Sequence, residues 1–129
     1  MTKVPEGMIA SPFLDRKDKW LEENELAFAI NDLYPNSKGH LLIIPKRIVL
    51  TPFDMTDKEM AACMALLRSQ RARLDAELQP DGYNIGWNVH VAGGQSVAHV
   101  HLHLIPRYTG DHPTPRGGIC RIMIKGEQK

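Results

Sequence analysis

His99-Val100-His101-Leu102-His103-Leu104-Ile105 is a run in which histidine alternates with aliphatic residues. In an extended strand, successive side chains point to opposite faces. The three imidazoles therefore share one face, about 6.5 Å apart along the strand. Val100, Leu102 and Leu104 line the other, which predicts a sheet with a core on that side. Three adjacent imidazoles repel one another once protonated, so the row is costly as mere surface decoration. Two chemistries use such a row. One is metal ligation, for which His-x-His on a strand is a common pair. The other is nucleophilic and acid–base catalysis near neutral pH.

The residues just upstream favour the second. Gly93 and Gly94 let backbone amides approach an anion, and Gln95 and Ser96 add side-chain donors. No carboxylate lies between Gly82 and Tyr108, so a metal on this strand needs an all-histidine shell or ligands from elsewhere. The balance points to catalysis on phosphorus.

Strand signals continue outward. Lys19–Glu22, Leu26–Ile30 and His40–Ile44 read as strands, as do Tyr83–Asn88 and Val97–Pro106. Asn31–Gly39 reads as a loop. Thr56 with Glu59 three residues on is a capping box. Met60, Cys63, Met64, Leu67, Arg71, Leu74 and Leu78 follow at helical spacing, and Pro80 and Gly82 end the helix. Arg68, Arg71 and Arg73 read as a solvated face, partly paired with Asp75 and Glu77. Ile119–Ile124 is a further candidate strand. The prediction is an α+β domain: a mainly antiparallel five-stranded sheet with one long helix packed on it. Residues 1–129 form a single domain, with an irregular arm over 1–10 and a Gly/Pro-rich tail over 109–129.

The chain of 129 residues carries a net charge of only +1, so bulk nucleic-acid binding is not expected and any phosphate site is local. Cys63 and Cys120 form no Cys-x-x-Cys pair and read as reduced thiols. No signal peptide or membrane span is legible, and the expectation is a cytoplasmic protein without membrane partners.

Gly94-Gln95-Ser96-Val97-Ala98-His99-Val100-His101-Leu102-His103 resembles the signature of the histidine triad family. Gly39-His40-Leu41-Leu42-Ile43-Ile44-Pro45-Lys46 is similar to the family's second block. Ile105-Pro106-Arg107-Tyr108-Thr109-Gly110-Asp111 looks like the tail of microbial members that act on dinucleoside polyphosphates. The resemblance covers roughly residues 11 to 122. It implies that His101 attacks the α-phosphorus of a nucleotide, forming a covalent nucleotidyl-imidazole that water or another acceptor resolves. A backbone carbonyl near His99 would fix the tautomer of His101. His103 would stabilise the transition state through a phosphate oxygen. His40, on the adjacent strand, would support the triad.

By the same resemblance, Gln95 contacts the scissile bridge or leaving phosphate, Ser96 passes a proton to the leaving group, and Asn88 contacts phosphate. Asp32 would hold the ribose, and Phe13, Ile30 and Leu33 would enclose a purine. The family forms two-fold dimers through sheet and helix, so a homodimer is expected. No cofactor is expected, and Mg²⁺ enters only as the companion of a polyphosphate substrate. Adenosine phosphoramidates, adenylates and phosphorolysis of dinucleotides are alternative chemistries of the same class. A signalling module with weak turnover is a different class, and a histidine-ligated metallohydrolase a third.

The chain departs from microbial relatives at a structural zinc site. Ser11-Pro12-Phe13-Leu14 stands in place of Cys-Pro-Phe-Cys, and Ile48 in place of a histidine. Three of four ligands are missing, so no zinc is expected, with packing of Leu14 and Ile48 as the substitute. His90 occupies a position where relatives usually have glycine, and it reads as a loop residue. Arg107 and Arg116 are candidates for steering an anion.

Overall fold

A computed structural model describes residues 3–120. The strands are β1 (Trp20–Glu23), β2 (Ala27–Asn31), β3 (Leu41–Pro45), β4 (Gly82–Gly86) and β5 (Leu102–Arg107), with helix α1 (Asp57–Glu77) between β3 and β4. They form one antiparallel sheet in the order β1-β2-β3-β5-β4.

The two apolar runs sit where a strand is covered on both sides. Ala27, Ala29, Leu41 and Ile43 face α1 and meet Cys63, Leu66 and Leu74 there, together with Leu102 and Leu104 of β5. Phe28, Ile30, Leu42 and Ile44 face the opposite way and pack with Phe13. Trp20 stacks on Phe28 at 3.8 Å between ring centroids, closing that second layer. Each face thus removes large aliphatic or aromatic side chains from water, worth roughly 1.5–3 kcal/mol apiece.

The helix begins as expected. Thr56 Oγ1 accepts from Glu59 N–H at 3.1 Å and Glu59 Oε1 accepts from Thr56 N–H at 2.9 Å. Its buried stripe is displaced from the predicted one: Glu59, Cys63, Leu66, Gln70 and Leu74 face inward, and Arg71 is exposed. Two polar residues hold inward positions because each has a partner. Gln70 Nε2 donates to Glu22 at 2.7 Å, tying β1 to the helix. Arg47 spans Glu59 through Nε at 3.0 Å and Nη2 at 2.6 Å. On the solvated side, Arg71 pairs with Asp75 and Arg73 with Glu77. The helix ends where Gln79 turns left-handed at φ 50, one residue before Pro80.

Arg47, helped by the Thr56 amide, holds the Glu59 carboxyl down at about 2. A lowered carboxyl pKa adds stability above the unfolded value of 4.5, and that stability is lost as pH falls toward 2. Arg47 is half exposed, so solvent screening trims the effect to about 2 kcal/mol. Glu59→Gln is expected to lower denaturant-measured stability by that amount at pH 7. The gap between variant and parent should shrink steadily between pH 5 and pH 2.

The expected strand over Val97–Pro106 is shorter at its start. Before Leu102 the backbone pairs with other partners. Ile9 N–H donates to Ser96 O and Ala98 N–H to Ile9 O, both at 2.9 Å, while Val100 N–H donates to Val49 O at 2.8 Å. The irregular arm is therefore tied to the rest of the domain at Ile9. Ile9 forms a parallel bridge to Val97 and holds the triad's approach in place. Gly118–Cys120 is a single 3-10 turn where a strand was expected, and residues 121–124 of that candidate lie outside the described residues.

Candidate active site

The alternation survives the shortened strand. Val100, Leu102 and Leu104 are buried in the core, and the three histidines take the other face. The Phe13 ring lies 5.5 Å from His101 and 5.9 Å from His99, and His101 and His103 are 5.1 Å apart. His40 precedes β3, and its ring lies 5.2 Å from His103. Gly39 explains how it gets there. At φ +93 a β-carbon would meet Leu78 Cδ1 at 2.8 Å and Leu74 Cδ2 at 3.0 Å, so only glycine lets the chain turn against the helix here.

Hydrogen-bond partners assign every tautomer. His99 Nε2–H donates to Pro45 O at 2.7 Å, and its Nδ1 accepts from Ser11 Oγ–H at 2.7 Å. His101 Nδ1–H donates to His99 O at 2.8 Å, which leaves the Nε2 lone pair free. Asn36 N–H donates to His40 Nδ1 at 3.0 Å, so the His40 proton sits on Nε2. That proton faces His103 Nδ1 at 3.0 Å and Asp32 Oδ2 at 3.4 Å. Given to His103 Nδ1, it places the His103 proton on Nε2, a buried atom with no partner. A lone pair on His101 Nε2 and an unused donor on His103 Nε2 thus belong to neighbouring rings 5.1 Å apart. One suits an electrophile, the other an oxygen attached to it.

The pKa of each of the four imidazoles is lowered, which favours its neutral form. Burial lowers each of them first. For His99 the charge of His101 adds to this, and for His103 the charges of His101 and His40 do, bringing His103 down to about 4. Asp32 opposes the shift at His40, His101 and His103 without reversing it.

A cavity of about 400 Å³ opens beside the pair, and Phe13, Ile30, Asp32, Leu33, Asn88, Ser96, His101 and His103 all border it. A second cavity of about 210 Å³, lined by Asn36, Asn84 and Trp87 among others, shares Asn88 and His103 with the first. The structure therefore gathers eight of the eleven candidate residues around one space, with His40 behind His103.

Two candidates lie elsewhere. His99 is fully buried with both ring nitrogens engaged, so it supplies its carbonyl to His101 and takes no chemical part. Gln95 does not face the cavity. Its Oε1 accepts from His90 N–H at 2.8 Å, and its Nε2 donates to Leu50 O at 2.7 Å and Val97 O at 3.0 Å. Both amide N–H donors are used, so none remains for a phosphate, and Gln95 is a brace between loops. His90 is exposed and holds φ 62, a left-handed conformation that suits the glycine of relatives. Arg107 is bound to Asp111 and Asn84 and does not border the cavity.

The residues at the zinc position do not suit the ion. Leu14 and Ile48 are 37% and 46% exposed, so the expected packing between them is not what replaces it. Ser11 does so, by capping His99 Nδ1 where a metal would take that lone pair. Asp32, His40 and His103 are the one group of described residues whose ligand atoms come within 4.8 Å of one another. Asn36 N–H occupies His40 Nδ1 and forces the proton onto Nε2, the atom a metal needs. A ligating histidine has its other ring nitrogen donating, and here it accepts.

Comparison with known proteins agrees with this geometry. The HIT domain family matches residues 15–110. An AP-4-A phosphorylase of Mycobacterium tuberculosis is 35% identical over 98 residues, covering 75% of this chain and 50% of the relative. A bis(5'-adenosyl)-triphosphatase of Dictyostelium discoideum is 33% identical over 96 residues, 74% of this chain and 64% of the relative. The chain thus spans half of the first relative's length and under two thirds of the second's. A crystal structure of a HIT family protein from Bacillus anthracis superposes with TM-score 0.69 at 33% identity, covering 72% of this chain and 66% of that one. With the family match over residues 15–110 and a histidine row on a sheet shared with such relatives, the chain belongs to the HIT family.

Proposed function

We propose that the protein cleaves a purine nucleotide at its α-phosphate, with His101 as nucleophile. The observation that carries the reading is the free His101 Nε2 beside the unpartnered His103 Nε2–H. The Nε2 lone pair forms an N–P bond as the bridging P–O bond breaks, and the electron pair departs with the leaving oxygen. Water then breaks the N–P bond, releasing a nucleoside monophosphate and returning neutral His101. His103 holds a non-bridging oxygen through the trigonal bipyramid. Asp32 accepts from ribose hydroxyls, and Ser96 and Asn88 border the phosphate.

The substrate we favour is a dinucleoside polyphosphate. Two cavities share His103 and Asn88 in their lining, which supports a substrate that extends to both sides of the scissile bond. The named activities of the two curated relatives point the same way. We further propose a homodimer, since among the described residues β4 has no strand on its outer edge. No resident metal enters the reaction, and Mg²⁺ accompanies the polyphosphate.

The test is nucleoside monophosphate release from dinucleoside polyphosphates, adenosine phosphoramidate and an adenylate, with the protein stripped by chelator beforehand. Cleavage of the first group at the highest kcat/KM supports the proposal. Preference for the phosphoramidate moves it to that subclass, and loss of all activity on stripping overturns the nucleophile. Neutral His101 is the reactive form and its pKa lies below the usual 6.5. The acid limb of the kcat/KM profile is therefore expected to have its midpoint under pH 6.5, and a midpoint above that value would contradict the assigned charge state.

A further inference from the structure

One side chain on the nucleotide cavity has no part in the proposed chemistry. Arg16 borders it from the segment Leu14–Lys19, where its N–H donates to Phe13 O at 3.2 Å. It stands one turn beyond Phe13, on the wall that Ile9, Pro12, Ile30 and Leu33 also form. Arg47, Arg71, Arg73 and Arg107 each hold a carboxylate. Arg16 is half-buried, and its guanidinium has no hydrogen bond or ion pair among the described residues. Asn31, Asp32 and Tyr34 border the same cavity, and Arg16 is bonded to none of them.

A guanidinium is always charged and offers five donors in a planar fork. Half-buried at the cavity and paired with no carboxylate, it keeps donors that a bound ligand can engage. We propose, resting on the function above, that Arg16 is a specificity-determining residue that reads guanine. Guanine presents two adjacent acceptors, O6 and N7, which match the fork. Adenine presents N7 beside an amino group, so a donor meets a donor. His101 and His103 fix the α-phosphate and Asp32 the ribose, leaving the base for the apolar wall and Arg16. The favoured substrates are then guanine nucleotides.

The products GMP and AMP test this by calorimetry without turnover. The parent should bind GMP on the order of 10-fold more tightly than AMP, the discrimination of one good bidentate contact. Arg16→Leu should abolish that ratio by weakening GMP, with AMP changed less than about twofold. Arg16→Lys keeps the charge but loses the fork, and should recover little of the ratio. The same ratios should appear in kcat/KM for diguanosine and diadenosine tetraphosphate. Equal binding of GMP and AMP by the parent, or an equal loss of both in Arg16→Leu, overturns base reading and makes Arg16 a general attractor of phosphate. Failure of the parent to bind either product overturns the nucleotide reading itself.

Discussion

His101→Ala is expected to lower nucleoside monophosphate release by about 10⁴-fold or more, the scale on which enzymes lose rate when a covalent nucleophile is deleted. The expectation follows from where lone pairs remain. His99 has both nitrogens engaged, His40 uses Nδ1 to accept from Asn36, and His103 uses Nδ1 to accept from His40. In the arrangement assigned, Nε2 of His101 is the one ring nitrogen of the four with an open lone pair at the cavity. No neighbour is placed to take over. Water attack assisted by His103 and the phosphate-side groups should leave only a small residue of activity. Nucleotide affinity should change little, since base and ribose contacts are untouched. Rapid acid-free quenching of the parent should show a protein mass increased by one nucleotidyl group, absent in the variant. Retention of a tenth of the parent's rate would remove His101 from the nucleophile's role.

Much of this site was legible before any coordinates. Alternation alone put Val100, Leu102 and Leu104 in the core and the imidazoles opposite, because a period of two admits no other arrangement in a sheet. The capping box placed the start of α1 at Thr56, since both of its bonds are local. What lay beyond reach depended on pairing across long separations. Ser11 contacts His99 across 88 positions, and Gln95 contacts Leu50 across 45. A polar side chain just ahead of the triad reads the same whether it faces substrate or braces a loop. The inward places of Glu59 and Gln70 were hidden for the same reason, as each depends on a partner, Arg47 or Glu22, contributed by another part of the chain. Arg16 was missed because nothing local distinguishes a cation facing a cavity from one facing water. Its signal is the missing partner, which only the fold displays.

Gln95 separates these two readings most sharply, and Gln95→Ala should fail in stability before it fails in chemistry. The buried amide satisfies His90 N–H, Leu50 O and Val97 O together. Truncation leaves all three without their partner in a place water reaches poorly, and one unsatisfied buried group costs about 1–3 kcal/mol. The His90 end lies near solvent and recovers part of its bond, so the expected loss is about 3 kcal/mol. That corresponds to a drop of roughly 10 °C in Tm for a domain of this size. Below the new melting point, kcat/KM should stay within about tenfold of the parent, because Ser96, His101 and His103 do not bond to the amide. Gln95→Glu should be no milder. A carboxylate accepts where two carbonyls already accept, and repulsion replaces two bonds. A residue that touched the leaving phosphate would give the reverse pattern, with an unchanged Tm and kcat/KM reduced by about a hundredfold, the scale of one lost transition-state donor. Calorimetric melting and steady-state rates on the two variants therefore decide whether this glutamine handles phosphate or holds the loops from which the triad is built.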